Sequence, residues 1–316
     1  MPNDLLTISD VIADALDLAD VEVSDLERAA RFVAMLTPEE ASDGTTHKYV
    51  KEVGAPVVGF RSVNAGRDLD HSEDVLVSAD LAYLDLSFMV DVALADKRRG
   101  RNNGRAWMLA REGARSIASA LFKYEEQLLY GQAAGDAAGF EGFLDQASLE
   151  HTDSAMVVDA GGTTAGNASS VFGVRVGRND VSAVYNGDEP ATLKEETVQQ
   201  VLDATGKPYN AYVVAGGSWL GLQVGAAKSI GRICNLTEDA GKGLTDELLA
   251  QLLAKYPSSR PPTHWLCSRR SLFQLRASRT ATNPTGAPAP LPTEAFGIPL
   301  LDLDSIRDTE TLATAA

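Results

Sequence analysis

The residue types that most often carry out chemistry are scattered along this sequence of 316 residues, without the spacing of a known catalytic or metal-binding motif. None of the four histidines belongs to an HExxH, HxxxH or mixed Cys/His array, the usual signatures of a zinc site; they are His47, His71, His151 and His264. No GxSxG nucleophile elbow is present, and no motif pairs two carboxylates for acid–base work. The sequence therefore predicts no catalytic residue, no metal and no cofactor, and it argues against an enzyme.

Three further features match a known site only in part. The stretch DAGGTTAG at residues 159–166 lacks both the GK[ST] ending of a phosphate-binding loop and the GxGxxG spacing, so a tight turn is predicted. The basic run KRRGR at residues 97–101 predicts a solvated face, with an anion site as the alternative. Cys234 and Cys267 match no metal or redox spacing, which favours buried free thiols in a reducing cytosol.

Charges of both signs crowd a polar turn between two strand-like segments, residues 45–60 and 75–92. This pattern predicts a long hairpin whose arms cannot bury their own apolar residues, including Val57, Val58, Val75 and Val77. Either the hairpin folds back or another chain covers it. A solvated tip is favoured over a cation site, because the glycine and glutamate of a calcium loop are absent. A third hypothesis is that the tip makes intersubunit contacts, through Arg61, Arg67, Asp68, Asp70, Glu73 and Asp74.

The longest helical pattern runs from Gly104 to Tyr130 and contains no proline. Apolar residues recur at spacings of three and four along it, at Trp107, Ala110, Ala114, Ile117, Leu121, Tyr124 and Leu128. Asn102 or Asn103 can cap its start, and Gly131 is a signal for its end. At about 1.5 Å per residue the helix is roughly 40 Å long. We therefore expect a strut across a sheet, with Ile117 and Leu121 facing that sheet.

The remaining segments are predicted as short elements. Residues 1–42 form two helices, the second carrying Leu26, Ala29, Ala30, Val33 and Leu36. This acidic arm must pack on something else, either as an ordinary N-terminal helical layer or as an arm that reaches along a neighbouring subunit. Residues 132–235 are mostly short strands, among them GFEGF at 139–143. Later come a helix at 245–256, a strand at 263–268, a helix at 268–278, a proline-rich loop at 280–293 and a final strand at 296–306.

Composition limits the function. The net charge is −16, and 44% hydrophobic residues suffice for one large domain or two smaller ones. The acidic excess argues against a sequence-specific nucleic-acid-binding protein, which needs a basic patch. It does not argue against a protein that encloses nucleic acid without binding it tightly. The N-terminal residues predict no signal peptide, and no stretch approaches the ~20 apolar residues that span a bilayer.

Several strings occur in one order along residues 55–310: FRSVNAG, the long helix, Tyr130-Gly131, GFEGF, WLGLQVGAAKSIGRICNL, HWLCSRRSLFQLR and FGIPLLDLDSIRDTE. The series resembles the major capsid proteins of tailed bacteriophages, in their podovirus-like branch. The strand pair around WLGLQV and RICNL and the GIP…TE ending are the most specific strings. The sequence departs from the family at Cys267-Ser268, where Met-Asn is usual, and at Leu300-Leu301, where a basic residue is common.

This resemblance implies the Hong Kong 97-type capsid fold, which is of the α+β class. The implied parts are an N-terminal arm at 1–42, an E-loop hairpin at 43–82, a peripheral domain at 83–150 with its spine helix at 104–130, a β-rich part of the peripheral and axial domains at 151–235, and an axial domain with the C-terminal strand at 236–316. No local motif supports the lysine–asparagine cross-link that some members of the family form.

The implied function is structural: a major head protein that self-assembles through hexamers and pentamers into the icosahedral virion capsid around double-stranded DNA. Assembly is expected in the host cytoplasm, with portal, scaffolding and decoration proteins as further partners and without a membrane. The closest alternative is an encapsulin-like compartment shell, which shares the fold. The alternative of another class is a soluble α/β enzyme built on the long helix.

Overall fold

The computed structural model describes residues 30–64, 66, 70–97, 104–187, 192–283 and 287–316. Its helices are α1 (Val92–Lys97), α2 (Gly104–Tyr130), α3 (Asp246–Leu253) and α4 (Arg269–Ala281). Its strands are β1 (Thr37–Glu40), β2 (Thr46–Gly54), β3 (Glu73–Asp80), β4 (Ala82–Asp85), β5 (Phe88–Asp91), β6 (Val157–Asp159), β7 (Ser169–Val174), β8 (Val181–Tyr185), β9 (Thr192–Leu193), β10 (Thr197–Leu202), β11 (Pro208–Val214), β12 (Gly216–Val224), β13 (Ile230–Leu236), β14 (His264–Cys267), β15 (Glu294–Ala295) and β16 (Ile298–Asp302). This mixture is the predicted α+β class.

The predicted hairpin is present as β2 and β3, which pair antiparallel and form a sheet of two strands. Its register runs from Thr46 opposite Asp80 to Gly54 opposite Glu73, with an irregularity after Glu52. The first arm is shorter than the sequence predicts, because β2 ends at Gly54 and residues 55–60 have no regular structure. Gly54 and Pro56 account for this early end, since both residue types interrupt a strand.

Among the described residues, three further sheets form the body. They have the strand orders β1-β8-β12-β4 with β9 also on β12, β10-β11-β5, and β15-β16-β14-β7-β13-β6. In the six-stranded sheet β13 is buried at every position, as a continuous apolar run predicts for a strand covered on both faces. One face of this strand meets α3, whose start is capped by the Thr245 hydroxyl accepting from the Leu248 amide at 3.3 Å.

Two clusters of buried apolar side chains hold the body together. The larger joins the six-stranded sheet to α3, α4 and the last turns of α2, and it includes the fully buried Trp265, Phe172 and Leu128. The smaller joins β5, α1, β11 and the first turns of α2, through Val90, Leu94, Ala95, Met108 and Tyr212. Both predicted free thiols, Cys234 and Cys267, are buried in the larger cluster.

The bounds of α2 are those predicted, and at Gly131, with φ +61°, the α-helix gives way to a π-helical turn over Gly131–Gly135. The predicted orientation is wrong over its first two-thirds: Ile117 and Leu121 are 42% and 45% exposed and do not face a sheet. That part of the helix packs instead through Met108 near its start and, further along, through small and polar residues. A Cβ at Gly113 would lie 3.3 Å from Leu193, and the Ser116 hydroxyl donates to the Leu86 carbonyl at 2.7 Å. Apolar periodicity therefore marks a face that this chain leaves exposed.

Three other predicted elements differ from the structure. Within the described part of the predicted arm, residues 33–35 form a single 3-10 turn, and the chain then joins β8 as the parallel strand β1. Residues 1–29 of that arm lie outside the described residues. The stretch at 139–143 is a turn rather than a strand, because Gly139 and Gly142 pack closely on Gln127 of α2. The strand predicted over 81–92 is divided into β4 and β5, and Val92 begins α1.

Candidate intersubunit surface

The root of the hairpin is fixed to the body by side chains of β2. The Tyr49 hydroxyl donates to the Val224 carbonyl at 2.8 Å, and His47 Nε2 lies 2.7 Å from Gln223 Oε1. Both contacts reach the end of β12, and the Leu81 amide adds a bond to the Thr45 carbonyl at 2.9 Å. Because side chains alternate along a strand, one face of the hairpin root is directed at β12 and the other is directed away from it.

The outward face carries apolar residues that water contacts. Val50 and Leu76 are cross-strand partners and are 66% and 65% exposed. Two residues further along the same face, Glu52 lies opposite Asp74. Like charges in directly opposed positions destabilise a strand pair. These four residues, Val50, Glu52, Asp74 and Leu76, are hereafter called the hairpin face.

The distal end of the hairpin is more exposed still. Val57 and Val58 are 72% and 82% exposed, and Phe60 projects fully into solvent. The Asp70 carboxylate closes the loop, since it accepts from the Val57 amide at 2.7 Å and from the His71 amide at 2.9 Å. These backbone hydrogen bonds lower the pKa of Asp70 below its ordinary value.

The six residues predicted to make intersubunit contacts can be placed in part. Arg61 lies exposed in the loop, Asp70 closes that loop, and Glu73 and Asp74 begin β3 with exposed side chains. Arg67 and Asp68 lie outside the described residues. The structure thus puts the four described residues at one end of one hairpin. Whether they touch another subunit stays a prediction.

A buried polar network, which was not predicted from the sequence, joins the six-stranded sheet to the C-terminal segment. Arg232 of β13 and Glu310 near the C-terminus are each 6% exposed, and Arg232 Nη2 lies 3.3 Å from Glu310 Oε2. The hydroxyls of Ser170 and Tyr130 donate to the same carboxylate at 2.6 and 2.8 Å. Burial and the Glu310 charge raise the pKa of Tyr130. One signal was available: an arginine inside the otherwise apolar string IGRICNL needs a buried partner.

A second buried carboxylate holds the backbone at Phe32. Glu125 of α2 is fully buried, and it accepts from the Phe32 amide at 2.7 Å and from the Ser305 hydroxyl at 2.7 Å. Burial raises the pKa of Glu125 above its ordinary value, although these hydrogen bonds act in the opposite direction. Phe32 itself is buried with its ring 5.9 Å from that of Phe143. Glu125 therefore ties the N-terminal and C-terminal segments to the long helix.

The body offers little that could hold a cofactor or metal. A cavity of about 400 Å³ opens between α2 and the C-terminal segment. Of its charged lining residues, Lys123 lies 3.7 Å from Glu126, which also pairs with Arg307, and Asp304 completes the set. Within the described ranges, no group of three or more His, Cys, Asp and Glu side chains could hold a metal ion. No described helix has the length and apolar character needed to cross a membrane.

Comparison with known structures identifies the fold. A structure of bacteriophage epsilon15 is similar with a TM-score of 0.68 and 20% identity, over 100% of this chain and 99% of that one. The capsid of bacteriophage JBD30 aligns with a TM-score of 0.47 and 10% identity, over 95% and 99% of the two chains. An encapsulin from Synechococcus elongatus aligns with a TM-score of 0.45 and 12% identity, over 73% and 97%. The epsilon15 likeness shows the predicted Hong Kong 97-type capsid fold.

Comparison with sequence families and with curated proteins gives different results. No curated protein matches the chain. The family model described as major capsid protein GP7 matches residues 21–313, which is nearly the whole sequence. The chain therefore belongs to the major capsid protein GP7 family and is a structural protein of the virion capsid.

Proposed function

We propose that this chain self-assembles into the closed icosahedral head of a tailed bacteriophage, and that its hairpin clamps neighbouring subunits together. The hairpin face carries this proposal. Val50 and Leu76 are about two-thirds exposed although they are paired with each other in register. Burying apolar surface is worth about 25 cal/mol per Å², so a neighbouring subunit that covers this pair stabilises the contact.

Charge supports the same assignment. The opposed carboxylates Glu52 and Asp74 repel each other on the isolated hairpin, and a basic side chain from a neighbour relieves that repulsion. The described tip residues Arg61 and Asp70 extend the charged surface. A single exposed ion pair contributes only about 0–1 kcal/mol. A closed shell repeats each contact many times, so weak pairs still favour assembly.

The proposal also assigns a role to each part of the chain. Residues 1–42 act as an N-terminal arm, 43–82 as the clamping hairpin, 83–150 as a peripheral domain and 236–316 as an axial domain, with the β-rich residues 151–235 shared between the two domains. Hexamers and pentamers form the shell in the host cytoplasm. Portal, scaffolding and decoration proteins are its further partners. The protein acts without catalysis.

The net charge of −16 bears on the contents of the shell. Repeated over many subunits, it gives a strongly anionic lining that repels double-stranded DNA and leaves the packaged DNA mobile. Any binding to duplex DNA would have to be electrostatic. We therefore expect no retention of the purified subunit on duplex DNA at about 0.15 M salt. Micromolar binding under these conditions would contradict this part of the proposal.

The clamp is tested by replacing both Val50 and Leu76 with asparagine. Because both side chains are mostly exposed, the subunit should keep its circular dichroism spectrum and melting temperature, while negative-stain microscopy should find no regular shells. Val198→Asn/Leu202→Asn is the matched control, since these two apolar residues of β10 are 59% and 66% exposed and lie outside the hairpin. The control should form shells. Normal shells from the double variant would show that the hairpin face is not the clamp.

A further inference from the structure

The exposed side of the long helix forms a continuous apolar stripe. Trp107, Ile117 and Leu121 are 36%, 42% and 45% exposed. Exposed alanines lie between them, and the α2 stripe is defined here as Trp107, Ala110, Ala114, Ile117, Ala118 and Leu121. At about 1.5 Å per residue it extends for about 21 Å. An exposed apolar patch of this kind, bordered by polar residues, usually marks an interaction site.

The backbone at Phe32 and Val33 is held at one end of this stripe. Glu125 is four residues after Leu121 and lies on the same side of α2. Its carboxylate accepts from the Phe32 amide at 2.7 Å and from the Val33 amide at 3.4 Å. The residues before Phe32 therefore start from a fixed point at the end of the α2 stripe, within the same subunit.

The preceding residues have the chemistry to cover it. Residues 1–29 contain eight acidic side chains and one basic side chain, and an apolar pattern at helical spacing: Ile8, Val11, Ile12, Ala15 and Leu16. A helix this short is marginal in water and needs a surface on which to pack. Beside the stripe, Arg111 and Arg115 pair with Glu112 at 3.3 and 3.2 Å, so the apolar pattern rather than charge carries the match between segment and stripe. Residues 17–31 supply ample length to bring that pattern back along α2.

We propose that the N-terminal segment, residues 1–29, docks its apolar side on the α2 stripe of its own subunit. The attachment of Phe32 and Val33 to Glu125 sets the direction of approach. A neighbouring subunit's segment or a different protein would be a different occupant, and the experiment separates these cases. The proposal concerns one subunit alone and does not rest on shell assembly.

Photo-crosslinking from the stripe tests the proposal in the full-length protein. A Leu121→Cys variant is labelled with benzophenone maleimide, while the native Cys234 and Cys267 are shielded because both are fully buried. Irradiation of mixed ¹⁴N and ¹⁵N subunits, followed by mass spectrometry, should give cross-links to residues 1–29 of the same chain. Ser119→Cys is the control, because Ser119 is exposed two residues away on the opposite side of α2 and should not link to that segment.

A second measurement uses cleavage by a protease specific for aspartate. Ile117→Asn and Leu121→Asn should each raise cleavage within residues 1–29 several-fold, because they weaken docking, and Ser119→Asn should not. The double variant Leu121→Asn/Val11→Asn should raise cleavage by less than the product of the two single-variant fold-increases, as expected for residues that contact each other. Cross-links between chains, no cross-links to residues 1–29, or unchanged cleavage would each overturn the proposal.

Discussion

Replacing Arg232 by methionine should destabilise the subunit by about 3–5 kcal/mol, the range for removing one partner of a buried ion pair. Arg232 and Glu310 are each only 6% exposed, so water cannot take the place of the missing guanidinium. Arg232 also donates through Nε to the Ser170 hydroxyl at 3.0 Å and through Nη1 to the Leu149 carbonyl at 3.3 Å. The substitution thus leaves a buried carboxylate without its cation and removes two further hydrogen bonds.

The free energy of unfolding is measured by urea denaturation of the unassembled subunit, followed by circular dichroism. Arg178→Met is the matched control, because Arg178 pairs with Glu39 at 3.0 Å but is 80% exposed, and it should cost about 0–1 kcal/mol. The double variant Arg232→Met/Glu310→Gln removes both charges and should be more stable than Arg232→Met alone. If Arg232→Met costs no more than Arg178→Met, or if the double variant is the less stable, the buried pair is not the constraint described above.

Three further outcomes are expected. Because burial raises the pKa of Glu125 above its ordinary 4.5, the stability that this group contributes is full below pH 4.5 and is lost as pH rises through the raised pKa. Glu125→Gln cannot ionise, so urea unfolding from pH 4.5 to pH 8 should show a smaller fall; an unchanged fall would contradict this. Tyr49→Phe removes the bond to the Val224 carbonyl, worth about 0.5–1.5 kcal/mol, and should speed hydrogen exchange in β2; equal exchange would show that the root is held otherwise. Gly131→Ala should destabilise far more than Gly166→Ala on thermal melting, since both have positive φ but only the first Cβ would collide with neighbouring atoms; equal losses would exclude that collision as the cause.

The helices and strands of this fold could largely be predicted from the sequence, because their limits depend on residues close together in the chain. The limits of α2 follow from a helical pattern that contains no proline and from Gly131, whose positive φ marks the end of the α-helix and the start of a π-helical turn. The side on which α2 packs was not readable. Ile117 and Leu121 satisfy the periodic pattern but lie exposed, whereas Gly113 and Ser116 make the contacts with β-strand and loop residues. Periodicity identifies an apolar face without identifying what covers it.

For the candidate site, too, the local structure was predictable from the sequence and the long-range contacts were not. Alternating apolar residues and a polar turn predicted the hairpin, and the structure confirms the pairing of β2 with β3. Its attachment to the body was not predictable, because Tyr49 and Val224 are far apart in the sequence and no local signal joins them. The ion pair between Arg232 and Glu310 is also a long-range contact, although the arginine inside an apolar strand marked one of its ends.

Assembly itself tests the central claim most directly. Purified protein is separated by size-exclusion chromatography, and the fraction near the void volume is imaged by cryo-electron microscopy. We predict closed icosahedral particles in which β2 and β3 of each subunit lie over a neighbour and cover Val50 and Leu76. A protein that elutes only as a small oligomer, or shells in which this hairpin touches no other subunit, would contradict the account.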